Sequence, residues 1–255
     1  MYKDVSKATS ASERADFGRL LVACPILPRI ANFDDLDPLR AEPNVEVAMI
    51  PPGMPIPVEA DLIVLPGSKA TIADMAFVRE QGWDIDILAH HRRGGSVLGI
   101  CGGYQMLGRR ITDPLGIEGE RREIEGLGLL DVETRLGPEK ALRHVTGYAF
   151  GAALDGYEMH MGETTGVATA KPFAILDHGG TDGAVSDDGR VIGTYCHGLQ
   201  GKGPLRGAVL SRLGGSGGAF DHGKVVDAAL EDLAEALEAH LDLDALLALA
   251  QGAAR

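Results

Sequence analysis

The chain has 255 residues, of which 45% are hydrophobic and 24% charged, with a formal net charge of −13. That length can bury a sizeable core, and the acidic balance argues against a nucleic-acid partner, which would require a basic face. No apolar run of about 18 residues offers a membrane span, and the N-terminal stretch lacks the apolar centre of a signal peptide. The three cysteines, Cys24, Cys101 and Cys196, are widely spaced. They suggest reduced thiols in a cytoplasmic protein, with neither a disulfide framework nor a metal site.

In chain order, residues 1–19 are polar and read as a linker or tail, and residues 20–255 as one domain. "RLLVACPIL" predicts a buried strand. "NFDDLDPLRAEPN" predicts a connection with a short helix, for which Asn32 or Asp34 is available as N-cap. "VEVAMIP" is a second strand, "PPGMPIPVEA" is too rich in proline for regular structure, and "ADLIVLPG" is a third strand ended by Pro66-Gly67. "TIADMAFVREQGWDIDILAHHRRG" carries helical spacing over part of its length, "SVLGIC" is a fourth strand, and "GGYQMLGRRI" opens a helix. Apolar runs alternating with helical segments predict an α/β fold with a mostly parallel central sheet covered on both faces. Its site should lie beyond the carboxyl ends of the strands, where Gly67 and Cys101 both fall.

From about Glu118 to Arg190 the pattern changes to strands joined by Gly-rich turns, including "GLGLLDVETRL", "HVTGYAFGAAL" and "GYEMHMGETTG". This predicts an antiparallel extension that returns to the main sheet. "GGSGG" at Gly214–Gly218 reads as a short flexible loop. "VVDAALEDLAEALEAHLDLDALLALAQ" is an amphipathic helical segment with a break near "LDLDALL".

The strand–Gly-x-Cys-x-Gly–helix run "VLGICGGYQMLG" has the form of a nucleophile elbow, in which flanking glycines allow a sharp turn that presents the thiol. Gly99, Gly102 and Gly103 supply that clearance around Cys101, and the helix start that follows favours a thiolate. A thiol nucleophile needs a base. Of eight histidines, His90, His91 and His222 read as surface residues, and His144 and His178 sit near turns. His197 in "VIGTYCHG" ends an apolar run beside Gly198 and is the candidate base. In "GYEMHMG", strand alternation puts Glu158 and His160 on one side. Acyl transfer also needs an oxyanion hole of two backbone N–H donors; Gly102 offers one and Gly67 in "LPGSKATI" the other. "GSKAT" lacks the earlier glycine that a phosphate loop requires, so no nucleotide-binding loop is read here.

These residues resemble the triad-type (class I) glutamine amidotransferase domain, in the branch of the cobyric acid synthases. The resemblance runs from about Leu20 to the end, through "LPRIANFDDLDPL", "LPGSKATIADM", "GICGGYQMLG", "DPLGIEG", "GYEMHMGET" and "GTYCHG". It implies that Cys101 is the nucleophile, His197 the general base, and the Gly67 and Gly102 amides the oxyanion hole. Gln105, with Ser68 and Gly103, completes the implied glutamine-binding set. Glutamine would be hydrolysed through a γ-glutamyl thioester, and the ammonia would pass to a synthetase domain or subunit. That partner would use ATP and magnesium to amidate adenosylcobyrinic acid a,c-diamide, a corrinoid, in cobalamin biosynthesis. No cofactor is implied in this chain.

Two departures from the family pattern stand out. Most triad amidotransferases carry a Glu two residues after the His, where this chain has Leu199; Glu158 is then a candidate third group, beside a simple Cys–His dyad. The N-terminal ATP-binding synthetase domain usual in this branch is absent from the sequence. Other acceptors remain open at this point: cobyrinate at an earlier amidation, or a cell-wall lipid precursor. So does a non-catalytic docking module with a dead glutaminase site.

Overall fold

The structure is a computed structural model that describes residues 19–119 and 123–253; residues 1–18 of the expected tail lie outside the described residues. The chain divides into two compact units, Met1–Ala219 and Phe220–Arg255.

In the first unit, strands β1 (Leu20–Pro25), β2 (Ile30–Ala31), β3 (Val45–Ile50), β4 (Leu62–Leu65), β5 (Gly67–Ser68) and β6 (Ser96–Ile100) are interleaved with helical segments. These are a 3-10 turn at Phe33–Leu36 that runs into α1 (Asp37–Arg40), then α2 (Thr71–Glu80), α3 (Trp83–Arg92) and α4 (Gly102–Leu107). There follow β7 (Arg110–Thr112), β8 (Glu123–Glu125), the long hairpin β9 (Glu133–Ala149) and β10 (Ala152–Thr165), β11 (Ala174–Leu176), β12 (Thr181–Asp182), β13 (Ala184–Val185), β14 (Val191–Thr194), β15 (Cys196–His197) and α5 (Gly203–Arg212).

The central sheet has the order β13-β14-β6-β4-β1-β3. It is parallel except for its edge strand β13. Its inner strands are apolar on both faces because both faces are covered. In β1, Leu21 and Ala23 point into the core that holds Met75, Trp83, Ile87 and Tyr104. Leu20, Val22 and Cys24 point into the opposite core with Leu36, Leu39, Leu205 and Leu210. That is the two-residue alternation of a strand.

The sheet and helices fall where the sequence places them, with local differences. The long helical stretch after Gly67 is two helices, because Gly82 takes a left-handed φ of 72° between α2 and α3. Asn32 stands at the N-cap of the 3-10 turn, but with φ 52° and no side-chain cap bond. His90 is buried rather than on the surface, its Nε2 3.0 Å from the Ser96 carbonyl. "GLGLL" is irregular, and the strand begins at Glu133.

The second sheet, β12-β11-β9-β10-β15 with β7 and β8 attached, is the expected extension. The chain leaves the central sheet at Thr194, and β15 pairs with β10 in the register Tyr157↔His197 and Glu158↔Cys196. The two sheets are therefore joined at the residue that the sequence singles out as a base.

The second unit consists of α6 (His222–His240) and α7 (Leu243–Ala253). Asp221 caps α6 by accepting the Gly223 amide at 3.0 Å, and Asp242 caps α7 by accepting the Ala245 amide at 2.9 Å. The break falls within "LDLD", as expected. No described helix is long and apolar enough to cross a membrane.

Candidate active site

Cys101 follows β6 directly and has φ 53° and ψ −109°, a left-handed strain that a non-glycine residue holds only when its surroundings impose it. Its amide donates to the Thr194 carbonyl at 2.8 Å, which ties the elbow to β14. A Cβ on Gly103 would stand 2.0 Å from the Leu65 carbonyl oxygen, and one on Gly99 2.6 Å from the Gly103 carbonyl. These two glycines let α4 pack onto the sheet. Gly103 thus has a packing role beneath the elbow, its Cα set against Leu65.

His197 is 1% exposed. Its Nδ1 lies 2.8 Å from Asp35 Oδ2, and the Gly198 amide donates to Asp35 Oδ1 at 2.7 Å. Tyr157 stacks on the ring at a centroid distance of 5.3 Å. Nε2 is buried with no oxygen or nitrogen partner, and the Cys101 sulfur interacts with the imidazole. Burial pulls the imidazole pKa down. The hydrogen bonds and charges of Asp35 and Cys101 outweigh it and push the value up to about 10.

Glu158 does not take the place beside His197. Its carboxylate accepts from Arg143 Nε at 2.6 Å, and the Nδ1 side of His197 is filled by Asp35. Alternation puts Glu158 on the opposite side of β10 from Tyr157, and Tyr157 is the residue that meets the imidazole. His160 stacks on Tyr195 at 3.7 Å, with Nδ1 buried and unpartnered.

The strand expected to supply the second oxyanion donor differs from expectation in which amide it turns to the elbow. β5 pairs antiparallel with β2 in the register Ile30↔Ser68 and Ala31↔Gly67, and the Lys69 amide donates to the Arg29 carbonyl at 2.9 Å. Successive amides of a strand point to opposite edges. The Gly67 amide therefore faces β2, as that of Lys69 does, and the Ser68 amide faces the elbow. A Cβ on Gly102 would indeed stand 2.9 Å from the Ser68 nitrogen. The pair of amides at the elbow is Ser68 and Gly102, with Gly67 engaged in the ribbon.

Gln105 is buried, and its side-chain amide is fully bonded. Oε1 accepts from Thr71 Oγ1 at 3.0 Å, and Nε2 donates to the Met161 carbonyl and the Tyr195 hydroxyl, both at 3.2 Å. It joins α4 to α2 and β10 around the thiol, while Cys101 Sγ donates to the Met159 carbonyl at 3.2 Å.

The sequence profile of the CobB/CobQ-like glutamine amidotransferase domain matches residues 21–204. The chain belongs to that family. It is 64% identical over 234 residues to a cobyric acid synthase of Rhizorhabdus wittichii, covering 92% of this chain and 48% of that protein. It is 62% identical over 245 residues to one of Sphingopyxis alaskensis, covering 95% and 50%. The chain thus spans about half the length of the curated relatives it matches. Among solved structures, the PurLQS structure of Thermotoga maritima aligns with a TM-score of 0.55 at 17% identity, over 84% of this chain and 99% of that one. A glutamine amidotransferase crystal structure aligns with a TM-score of 0.50 at 15% identity, over 73% and 92%. At such identities the likeness is one of fold alone, and it is the α/β fold described above.

Within this amidotransferase domain, Asp35 is the residue that the sequence reading passed over. It falls within "NFDDLDPL", where the local signal is a short helix with Asn32 or Asp34 as N-cap. The available signal was two adjacent acids in a family-like segment whose partner, His197, lacked an acid of its own two residues on.

Proposed function

We propose that this domain hydrolyses glutamine to glutamate and ammonia, with Cys101 as nucleophile and His197 as its proton partner. The observation that carries this reading is the pairing of a left-handed Cys101 on a strand-to-helix elbow with a buried His197 whose Nε2 has no hydrogen-bond partner and whose imidazole interacts with Cys101. The raised imidazole pKa favours an imidazolium beside a thiolate. The thiolate attacks the carboxamide carbon, and the developing oxyanion accepts the amide N–H groups of Ser68 and Gly102. His197 gives its proton to the leaving nitrogen, ammonia departs, and a γ-glutamyl thioester remains on Cys101. Water then attacks the thioester. His197 takes a water proton, the C–S bond breaks, and glutamate leaves with the thiolate–imidazolium pair restored.

The ammonia would serve ATP-dependent amidation of adenosylcobyrinic acid a,c-diamide, in the half of the protein that the cobyric acid synthases carry beyond the matched region. That half would hold ATP and magnesium. The described residues bring no three His, Cys, Asp or Glu side chains together that could hold a metal ion, and no step above runs through one. High identity to cobyric acid synthases supports this acceptor over cobyrinate or a lipid precursor, and the three free cysteines are in keeping with a cytoplasmic setting. The test combines the chain with the ATP-binding half of a relative, the corrinoid diamide, ATP, magnesium and amide-15N glutamine. Appearance of 15N in the corrinoid, lost with Cys101→Ala, is the expected result; glutamate formation without corrinoid labelling would refute the acceptor.

A further inference from the structure

We infer that Asp35 is the positioning residue of the Cys101–His197 pair, supplying from the far end of the chain the carboxylate that this sequence lacks two residues after the histidine. This rests on the glutaminase reading above. At the usual place stands Leu199, a buried side chain with nothing to offer an imidazole. Asp35 comes instead from the turn after β2 and holds the site with both oxygens, one on His197 Nδ1 and one on the Gly198 amide. A carboxylate on Nδ1 fixes which nitrogen bears the proton and points the other at the reacting group. Here the other nitrogen is Nε2, turned to Cys101. The second oxygen sets the backbone just after His197, where Gly198 adopts a φ of 71°.

The segment that carries Asp35 is anchored a second time. Glu42, seven residues on, accepts from Arg206 Nε at 2.5 Å and from the Gly218 amide at 2.7 Å. Arg206 is fully buried and reaches through Nη1 to the carbonyls of Gln200 and Gly201, at 2.6 and 3.2 Å. One short stretch, Asp35 to Glu42, therefore grips the loop after His197 at both ends. Burying a guanidinium and two carboxylates is costly unless each is bonded; here the Asp35 bonds and the two carbonyl bonds of Arg206 bear on the loop after His197, while Glu42 also takes the Gly218 amide. The charged and titratable groups that bear on the imidazole are Asp35 from the turn, Cys101 from the elbow, and His160 from β10, with the Tyr157 ring stacked over it.

The test is the pH profile of Cys101 alkylation by iodoacetamide, read by peptide mass spectrometry, together with glutamine hydrolysis. Asp35→Asn keeps the shape and removes the charge. It is expected to move the rising limb of alkylation up by about one pH unit or more and to lower glutamine kcat about 100-fold, with a much smaller change in KM. Asp34→Asn, an exposed neighbour, is expected to change neither. A folded Asp35→Asn protein with an unmoved limb and full kcat overturns the proposal. Should that variant not fold, 15N-histidine NMR of the wild-type chain decides: a far-downfield, exchange-protected Nδ1 proton on His197 supports the bond, and its absence overturns it. A shifted limb in a chain that never hydrolyses glutamine would refute the glutaminase reading while leaving the positioning role standing.

Discussion

Ala31 and Gly67 stand directly opposite each other in the two-stranded ribbon of β2 and β5. This pairing turns the Ser68 amide towards the elbow, and Ser68 Oγ donates to the buried Asp74 at 2.6 Å. Ser68→Ala keeps the amide and removes the hydroxyl. It is expected to cost about 1–3 kcal/mol of stability and to leave thioester formation largely intact. Ser68→Pro removes the amide proton. It is expected to slow thioester formation about 100- to 1,000-fold, with iodoacetamide still reacting at Cys101. Equal slowing in the two variants would reject the Ser68 amide as a donor.

The elbow makes a second expectation. Gly103→Ala would force a Cβ to within 2.0 Å of a backbone oxygen that cannot move without the sheet, whereas Gly53 has φ +82° and open space. Gly53→Ala should cost only about 1–2 kcal/mol for its left-handed backbone. Gly103→Ala should cost more than that, about 3 kcal/mol or above, by displacing α4 from β4. Urea unfolding of the two variants against wild type measures the difference.

Glu158 and Arg143 serve as the contrast to Asp35. Arg143→Ala leaves a buried carboxylate without its cation and should destabilise the chain by about 1–3 kcal/mol. Glu158→Gln should leave the pH profile of Cys101 alkylation where it is. A limb that shifts with Glu158→Gln as it does with Asp35→Asn would restore Glu158 as the third group.

Asp182 lies under the strand that delivers His197, accepting from Thr194 Oγ1 and from the Tyr195 amide. Burial pushes its pKa from 3.8 up to about 6, with its hydrogen bonds pulling the other way. Between those values the folded state holds a proton that the unfolded state has lost. Its contribution to stability is therefore complete below about pH 4 and is lost as pH rises towards 6, with a slope of up to about 1.4 kcal/mol per pH unit. Asp182→Asn should remove that slope and gain on wild type between pH 4 and 7. Denaturant curves at pH 4, 5, 6 and 7 give the comparison, and a difference that does not vary with pH would contradict it.

The meeting of Cys101 and His197 in the fold was legible because each closes an apolar run at a strand end and is followed by glycine, a signal written in neighbouring residues. Asp35 was not, because its meaning depends on a partner 162 positions away, and no local pattern distinguishes it from a helix cap. Glu158 misled for a related reason: alternation fixes which side of a strand a residue faces, but not which neighbour occupies that side. Which of the Gly67 and Ser68 amides is turned to the elbow was not legible, because β2 is only two residues long, too short to announce itself, yet its pairing decides the direction of both. The parallel sheet came through clearly, since strands covered on both faces must be apolar throughout. The long helix divided at Gly82, where one left-handed residue outweighs the spacing on either side.

The central claim is that Cys101 is a nucleophile poised for a glutamine amide. Treating the chain with 6-diazo-5-oxo-norleucine, alone and with an ATP-binding partner half, and reading intact and peptide masses tests it most directly. The account predicts one covalent adduct, on Cys101, blocked by excess glutamine and absent in Cys101→Ala. No adduct at Cys101 under either condition, from a folded chain, would contradict it.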